Sequence, residues 1–160
     1  IWKWKIMEIN NIISSETIIS DLKVSGKKHL FQELSEKASP IVGVQDRVIL
    51  RTLLDREKLG TTGIGQGVAI PHGKISNLNS SIGFFARLID PIDFEAIDEK
   101  PVDLIFLLLA PEEANAENLK TLAKISRMLR DKNLCDKIRG SIGNDALYSV
   151  LTDSSASFAA

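Results

Sequence analysis

The sequence predicts an α/β protein in which a single domain forms three layers, with a mixed β-sheet flanked by helices on both faces. Apolar residues recur at helical spacing in several segments, whereas residues 102–109 form an almost uninterrupted apolar run. A run of that kind is typical of a central strand buried on both faces. Because helical segments both precede and follow the strands, both faces of the sheet can be covered.

Two helices are predicted before the strands. The first covers about residues 27–38 and is expected to end at Ser39-Pro40, because proline cannot donate to the helical hydrogen-bond ladder. The second is expected to begin after Gln45 or Asp46, whose side chain could cap it. Gly60 is well placed to end this second helix.

Three strands are predicted in the middle of the chain. Residues 68–70 and residues 82–89 are rich in apolar and branched side chains, and Asp90-Pro91 is expected to turn the chain after the second of them. Residues 102–109 form the third and most buried strand.

Helices follow the last strand. One is predicted from Pro111 to about residue 132, a short one covers residues 134–139, and the last runs from about residue 144 to residue 151. The first of these is expected to bury one apolar face, which consists of Leu119, Leu122, Ile125, Ser126 and Leu129.

The domain is expected to cover residues 7–152. Residues 1–6 precede the first methionine, Met7, and are interpreted as an upstream extension or an expression remnant. Residues 153–160 are small and polar, which predicts a frayed tail.

Composition limits the classes of function. The net charge is −1, so electrostatics favour neither nucleic acid nor an anionic membrane as a partner. The single cysteine, Cys135, excludes an internal disulfide and a cysteine-clustered zinc site. No apolar run reaches the ~18 residues that span a bilayer, and no secretory signal is visible. We therefore expect a cytoplasmic protein without membrane insertion.

The most informative segment contains three alternating glycines, Gly63, Gly65 and Gly67, which lead through a short apolar run to His72 and Gly73. Glycine allows the backbone to approach a ligand closely. A dinucleotide fingerprint has the order strand, glycines, helix, which is not the order here, and no Walker A motif is present. By itself the glycine pattern indicates only a tight turn.

His72 is the first candidate for chemistry. It lies at a predicted strand end between glycine-rich stretches, where α/β proteins place ligands. No set of metal ligands, serine elbow or Cys-His pair accompanies it, which leaves a lone histidine nucleophile.

Arg56 is the nearest candidate cation, because a guanidinium can bind a phosphoryl group through two hydrogen bonds. The alternative is a solvated arginine in the last turn of a helix. Lys58 and Lys74 are more often solvated charges at such positions.

Residues 56–74 resemble the active-site region of the IIA proteins of the bacterial phosphotransferase system. The resemblance is to the fructose/mannitol superfamily, most closely its nitrogen-regulatory branch, and residues 91–104 share it. It covers roughly residues 8–152, and the pattern Arg, Gly-Ile-Gly, Pro-His-Gly is highly specific.

The resemblance implies a phosphocarrier. His72 would accept a phosphoryl group on Nε2 from a small HPr-like nitrogen phosphocarrier, with Arg56 beside it. Backbone amides of Gly63, Gly65, Gly67 and Gly73 could contact the phosphate, and neither a metal nor a cofactor is expected. Within the family, regulated partners include potassium-transport and sensor-kinase proteins.

One position departs from the family pattern. Many members carry a second histidine in a His-Leu-x-x-Leu motif, and Asn118 occupies that position here. An asparagine side chain can donate a hydrogen bond but cannot carry a positive charge. Lys120 lies two residues away and so does not share its helical face. We expect phosphorylation to persist, but more slowly or with a phosphohistidine of different stability.

Three alternatives stay open. A sugar-specific IIA protein for fructose or mannitol uptake would hand its phosphoryl group to a IIB domain, often fused in the same chain. The protein could instead be a binding module that is not phosphorylated, in which case Asn118 would indicate that phosphoryl transfer has been lost. A generic nucleotide-binding domain is disfavoured by the motif order.

Overall fold

Helices and strands alternate in blocks along the chain. The computed structural model describes residues 8–157, and side chains from residue 8 to residue 153. The helices are α1 (Ile9–Ile12), α2 (Lys27–Val42), α3 (Asp46–Lys58), α4 (Asn115–Leu129), α5 (Lys132–Gly140) and α6 (Asn144–Ser157), with a 3-10 turn at Ser15–Thr17. The strands are β1 (Ile18–Leu22), β2 (Gly63–Gly65), β3 (Val68–Ala69), β4 (His72–Ile75), β5 (Ile82–Ile92) and β6 (Val102–Pro111).

The six strands form one mixed sheet in the order β1-β5-β6-β3-β2, and β4 also pairs with β6. β5 and β6 are antiparallel, whereas β3 and β4 both run parallel to β6. Val68 pairs with Leu104 and His72 pairs with Leu108, so β3 and β4 keep the same register along β6. The interruption between them contains Pro71, and His72 follows it directly.

Two apolar cores lie on opposite faces of the sheet. Alternate residues of β6 point to opposite faces, as strand geometry requires: Ile105 and Leu107 join one core and Leu104 and Phe106 join the other. The first core contains the inner faces of α2 and α3, and the second contains those of α1, α4, α5 and α6. The predicted three-layer α/β architecture is therefore confirmed.

Two prolines did not end their elements as predicted. α2 continues through Pro40 and ends at Gly43, whose φ of 73° is left-handed. β5 continues through Asp90 and Pro91, because its pairing with β6 shifts register between Arg87 and Ile92. An interruption of the ladder is where proline, which has no N–H to donate, is tolerated in a strand.

The face that α4 buries differs in part from the predicted one: Ile125 and Leu129 are buried as expected, and Leu122 is partly buried. Leu119, however, is 69% exposed, so the prediction that it packs in the core was wrong. The buried face of the helix is rotated toward the residues one position earlier in the sequence. The helix begins at Asn115, later than predicted, because β6 extends through Pro111. Its buried residues are Asn118, Thr121, Lys124, Ile125, Met128 and Leu129.

The last helix extends beyond the end of the predicted domain. α6 continues to Ser157, six residues beyond its expected end at Leu151, so the last helix is longer than the sequence indicated. The predicted extension at residues 1–6 and the start at Met7 lie outside the described residues, as do residues 158–160. Within residues 8–157, no helix combines the length and the apolar character that crossing a bilayer requires.

Candidate active site around His72

The imidazole of His72 is held in one orientation by the backbone that precedes it. Its Nδ1 lies 2.9 Å from the carbonyl oxygen of Ile70. Because a carbonyl oxygen can only accept, Nδ1 carries the proton in the neutral ring. The lone pair is therefore on Nε2, which makes Nε2 the nucleophilic nitrogen.

Arg56 lies against that nitrogen. It occupies the last turn of α3, and its Nε donates to Nε2 of His72 at 3.2 Å. Its Nη1 donates to the carbonyl oxygen of Gly60 at 3.0 Å. Nη2 has no hydrogen bond to any residue in the described part of the chain. The arrangement keeps a fixed cation and a free N–H donor group beside Nε2 of His72.

The pKa of His72 is lowered from its ordinary value of 6.5. Burial is the largest cause, because it disfavours the charged imidazolium, and the positive charge of Arg56 acts in the same direction. The hydrogen bond to Ile70 and the charge of Glu57 oppose the change. The imidazole is therefore kept neutral, which is the form that can act as a nucleophile.

His72 opens onto a surface depression of about 620 Å³ between α3, β4 and α4. Lys74 lines it, and its Nζ donates to Oδ1 of Asn115. Two exposed leucines stand at its edge, Leu59 (84% exposed) and Leu119. The lining residues are Thr52, Asp55, Arg56, Leu59, His72, Gly73, Lys74, Asn115, Asn118, Leu119 and Leu122.

Asn118 also lines this depression, from the α4 side. It is only 7% exposed, and its Oδ1 has no hydrogen-bond partner among the described residues. Lys120 is exposed and, like Lys58, is not part of the lining. The structure thus brings His72, Arg56 and the second-histidine position into one depression.

The glycines divide into two groups. Gly73 lines the depression, and a Cβ there would lie 2.6 Å from Cγ2 of Thr52. Gly63, Gly65 and Gly67 do not line it. They belong to the β2–β3 hairpin, where a Cβ would meet Ala96, Asp98 and Arg139 respectively.

The hairpin turn explains part of the glycine pattern. Gln66 and Gly67 both have positive φ, of 58° and 82°, as a tight two-residue hairpin turn requires. The N–H of Gly63 donates to the Thr61 hydroxyl at 3.1 Å. These three glycines therefore shape the chain that leads to His72.

Two contributors to the site gave no clear signal in the sequence. Thr52 packs against Gly73 from α3, and Glu57 accepts hydrogen bonds from the loop that follows α3. Glu57 is adjacent to Arg56, but a charged residue in a last helical turn is ordinarily read as exposed. In the described residues, no group of three or more His, Cys, Asp or Glu side chains could hold a metal ion.

Comparison with known proteins decides the family. Residues 11–154 match the family model described as "Phosphoenolpyruvate-dependent sugar phosphotransferase system, EIIA 2". The chain belongs to this EIIA 2 family. Its relatives include the nitrogen regulatory protein of Bradyrhizobium diazoefficiens, which is 52% identical over 145 residues, 91% of this chain and 95% of that protein. The nitrogen regulatory protein of Escherichia coli K12 is 36% identical, over 92% of this chain and 91% of that protein.

A solved structure supports the same assignment. The nitrogen regulatory protein IIA-Ntr from Neisseria meningitidis superposes with a TM-score of 0.85 and 36% identity, covering 89% of this chain and 98% of that one. The resemblance found in residues 56–74 is therefore confirmed, and these three similar proteins are nitrogen regulatory proteins.

Proposed function

We propose that this EIIA 2 domain is a phosphocarrier of the nitrogen phosphotransferase system, which accepts a phosphoryl group on Nε2 of His72. The donor would be an HPr-like phosphocarrier. One observation carries the proposal: the hydrogen bond from Nδ1 to Ile70 leaves the lone pair on the nitrogen that faces Arg56. His72 is half-buried and lines the depression, so a phosphoryl donor can reach this nitrogen from solvent.

The proposed transfer needs few groups. The lone pair of Nε2 attacks the phosphorus, the new N–P bond forms in line, and the bond from phosphorus to the donor breaks. The electron pair of that broken bond stays with the donor atom. The proton on Nδ1 remains hydrogen-bonded to Ile70 throughout, so the acceptor needs no general base.

The negative charge of the phosphoryl oxygens needs stabilisation as they arrive. Arg56 would move from the lone pair of Nε2 to these oxygens, and its unoccupied Nη2 would donate to them. The side-chain amide of Asn118 is the one polar group on the opposite side of the depression that is buried without a partner for its Oδ1 among the described residues. It would supply a neutral donor where many family members have a histidine.

Regulation would follow from the change of charge. The oxygens of a phosphoryl group carry about −1.5 to −2 charges at neutral pH, partly offset by the ring, which becomes positive when Nδ1 keeps its proton. This charge would lie between two exposed leucines, Leu59 and Leu119, where a partner protein could bind. The names of the relatives favour this regulatory role. By family resemblance the partners would include a potassium transporter or a sensor kinase.

Mass measurement of the intact protein tests the proposal. After incubation with phosphoenolpyruvate, enzyme I and the cognate carrier, we expect one acid-labile phosphate adduct. The adduct should be absent in His72→Gln and retained in His29→Gln, which changes the other histidine. No adduct with any carrier would contradict the proposal and support a binding module. Rapid onward transfer to a fructose or mannitol IIB domain would support the sugar-specific alternative.

A further inference from the structure

Glu57 is a buried carboxylate whose two oxygens are both occupied. Only 7% of its side chain is exposed. Oε2 accepts from Nζ of Lys27 and from the backbone N–H of Thr62, each at 3.0 Å. Oε1 accepts from the hydroxyl of Thr62 at 2.6 Å. The carboxylate therefore clamps Thr62 through both its main chain and its side chain.

Two backbone hydrogen bonds connect Thr62 to the imidazole of His72. Thr62 is 4% exposed, and its carbonyl oxygen accepts from the N–H of Ile70 at 3.0 Å. The carbonyl oxygen of the same Ile70 accepts from Nδ1 of His72 at 2.9 Å. Glu57 is thus two backbone hydrogen-bond steps from the contact that sets the protonated nitrogen of the ring.

The loop that Glu57 holds is also hydrogen-bonded to Arg56. The loop after α3 is short, and Gly60 lies two residues before Thr62. The carbonyl oxygen of Gly60 accepts from Nη1 of Arg56 at 3.0 Å. Because Glu57 fixes the end of this loop, it also restricts where that carbonyl can be. The same carboxylate therefore supports both Arg56 and His72.

Lys27 is the positively charged partner of the Glu57 carboxylate and is itself held in place. Its Nζ lies over the ring of Phe94, 4.5 Å from the centroid, and its side chain is 18% exposed. Taking the charges of Lys27 and Glu57 out of water is costly, and an apolar pair of similar size would often be as stable. A charged pair with every carboxylate oxygen bonded to a particular partner is more suited to holding geometry than to adding stability.

We propose that Glu57 is a positioning residue for phosphoryl acceptance: through Thr62 it holds the Ile70 carbonyl against His72 and the Gly60 carbonyl against Arg56. The inference rests on the proposed function for its effect on rate. Its effect on the ring of His72 exists in the unphosphorylated protein as well.

Glu57→Gln tests the proposal with little change in shape. One side-chain oxygen becomes an amide NH2, which cannot accept from Thr62 or Lys27. We expect the rate of phosphorylation to fall about tenfold to one hundredfold, as is usual when a group that orients a reactive side chain is lost. In 15N NMR spectra of the unphosphorylated variant, His72 should show a mixture of the Nδ1–H and Nε2–H tautomers.

Two matched variants serve as controls. Glu95→Gln removes an 81% exposed carboxylate 3.9 Å from the same Lys27 without contact to Thr62. Ile138→Val trims a fully buried side chain in the core on the other face of the sheet. Both should keep the tautomer and a rate within twofold of the wild type, even if Ile138→Val lowers the melting temperature.

The outcomes separate this inference from the proposed function. A single Nδ1–H tautomer in Glu57→Gln would overturn the inference, and so would a rate within twofold of the wild type. If the wild-type protein accepts no phosphoryl group from any donor, the proposed function fails. The tautomer measurement then still decides whether Glu57 positions His72.

Discussion

The two sides of the His72 depression are built in different ways. On one side, residues 56–73 form a continuous set of hydrogen bonds that orients the imidazole and the guanidinium. On the α4 side, Asn118 is buried with an Oδ1 that has no partner among the described residues, and Leu119 is exposed. The orientation of the candidate nucleophile is thus set within one short segment, and we expect a residue change on the opposite side to leave the tautomer unaltered.

The largest expected effect comes from the well-ordered side. Arg56→Ala removes the cation beside the lone pair and should lower the rate of phosphorylation about one hundredfold to one thousandfold, as loss of a charge-stabilising donor does. Rapid-quench measurements with the phosphorylated carrier would show it. Arg51→Ala, which removes an exposed arginine from the same helix, should leave the rate nearly unchanged.

A close contact between β4 and α3 gives the next effect. Gly73→Ala places a methyl group 2.6 Å from Cγ2 of Thr52, and this overpacking should cost about 1–3 kcal/mol of unfolding free energy. Denaturant unfolding measures that cost. Adding Thr52→Ser removes Cγ2 and retains a hydroxyl, which at present donates to Val48, so the double variant should recover most of the loss. No recovery would mean that the contact with Thr52 is not the cause.

The lowered pKa of His72 predicts a pH dependence. The neutral imidazole persists to lower pH than in a histidine of ordinary pKa, so the phosphorylation rate should decline at a lower pH than 6.5 as the solution is acidified. Because the unfolded chain takes up this proton more readily, His72 should also make the fold less stable as the pH falls below 6.5. NMR titration of the ring is the direct check. In Arg56→Ala the pKa of His72 should rise. An unchanged pKa would contradict the contribution of the Arg56 charge to lowering it.

The smallest effect is expected on the α4 side. Asn118→His restores the second histidine and should raise the phosphorylation rate several-fold, because an imidazolium can carry positive charge near the phosphoryl oxygens. Lys120→His offers a matched control, since this neighbouring position is exposed and does not line the depression. An unchanged or slower rate in Asn118→His would show that the asparagine does not limit transfer.

The sequence predicted the fold class and the family because both depend on local patterns. The apolar run in β6 and the segment from Arg56 to Lys74 can be read without knowledge of contacts. β1 was missed, since its five residues contain Ser20 and Asp21 and it forms by pairing with β5, more than sixty residues away. Such long-range pairing leaves little trace in a short window.

The same distinction applies to the site. The pairing of His72 with Arg56 follows from one segment, and their roles as phosphoryl acceptor and phosphate contact stay predictions. Glu57 could not be recognised, because its burial depends on Lys27, thirty residues earlier. The outward position of Leu119 depends on which stripe α4 packs against the sheet, and two stripes were compatible with its sequence.

The central claim is that the contact between Nδ1 and Ile70 selects the nitrogen that becomes phosphorylated. NMR of the phosphorylated protein, with 15N-labelled histidine, tests it directly through the coupling between phosphorus and nitrogen. The expected result is a phosphorus bonded to Nε2 of His72, with the proton on Nδ1 retained. A phosphorus bonded to Nδ1, or to His29, would contradict the account.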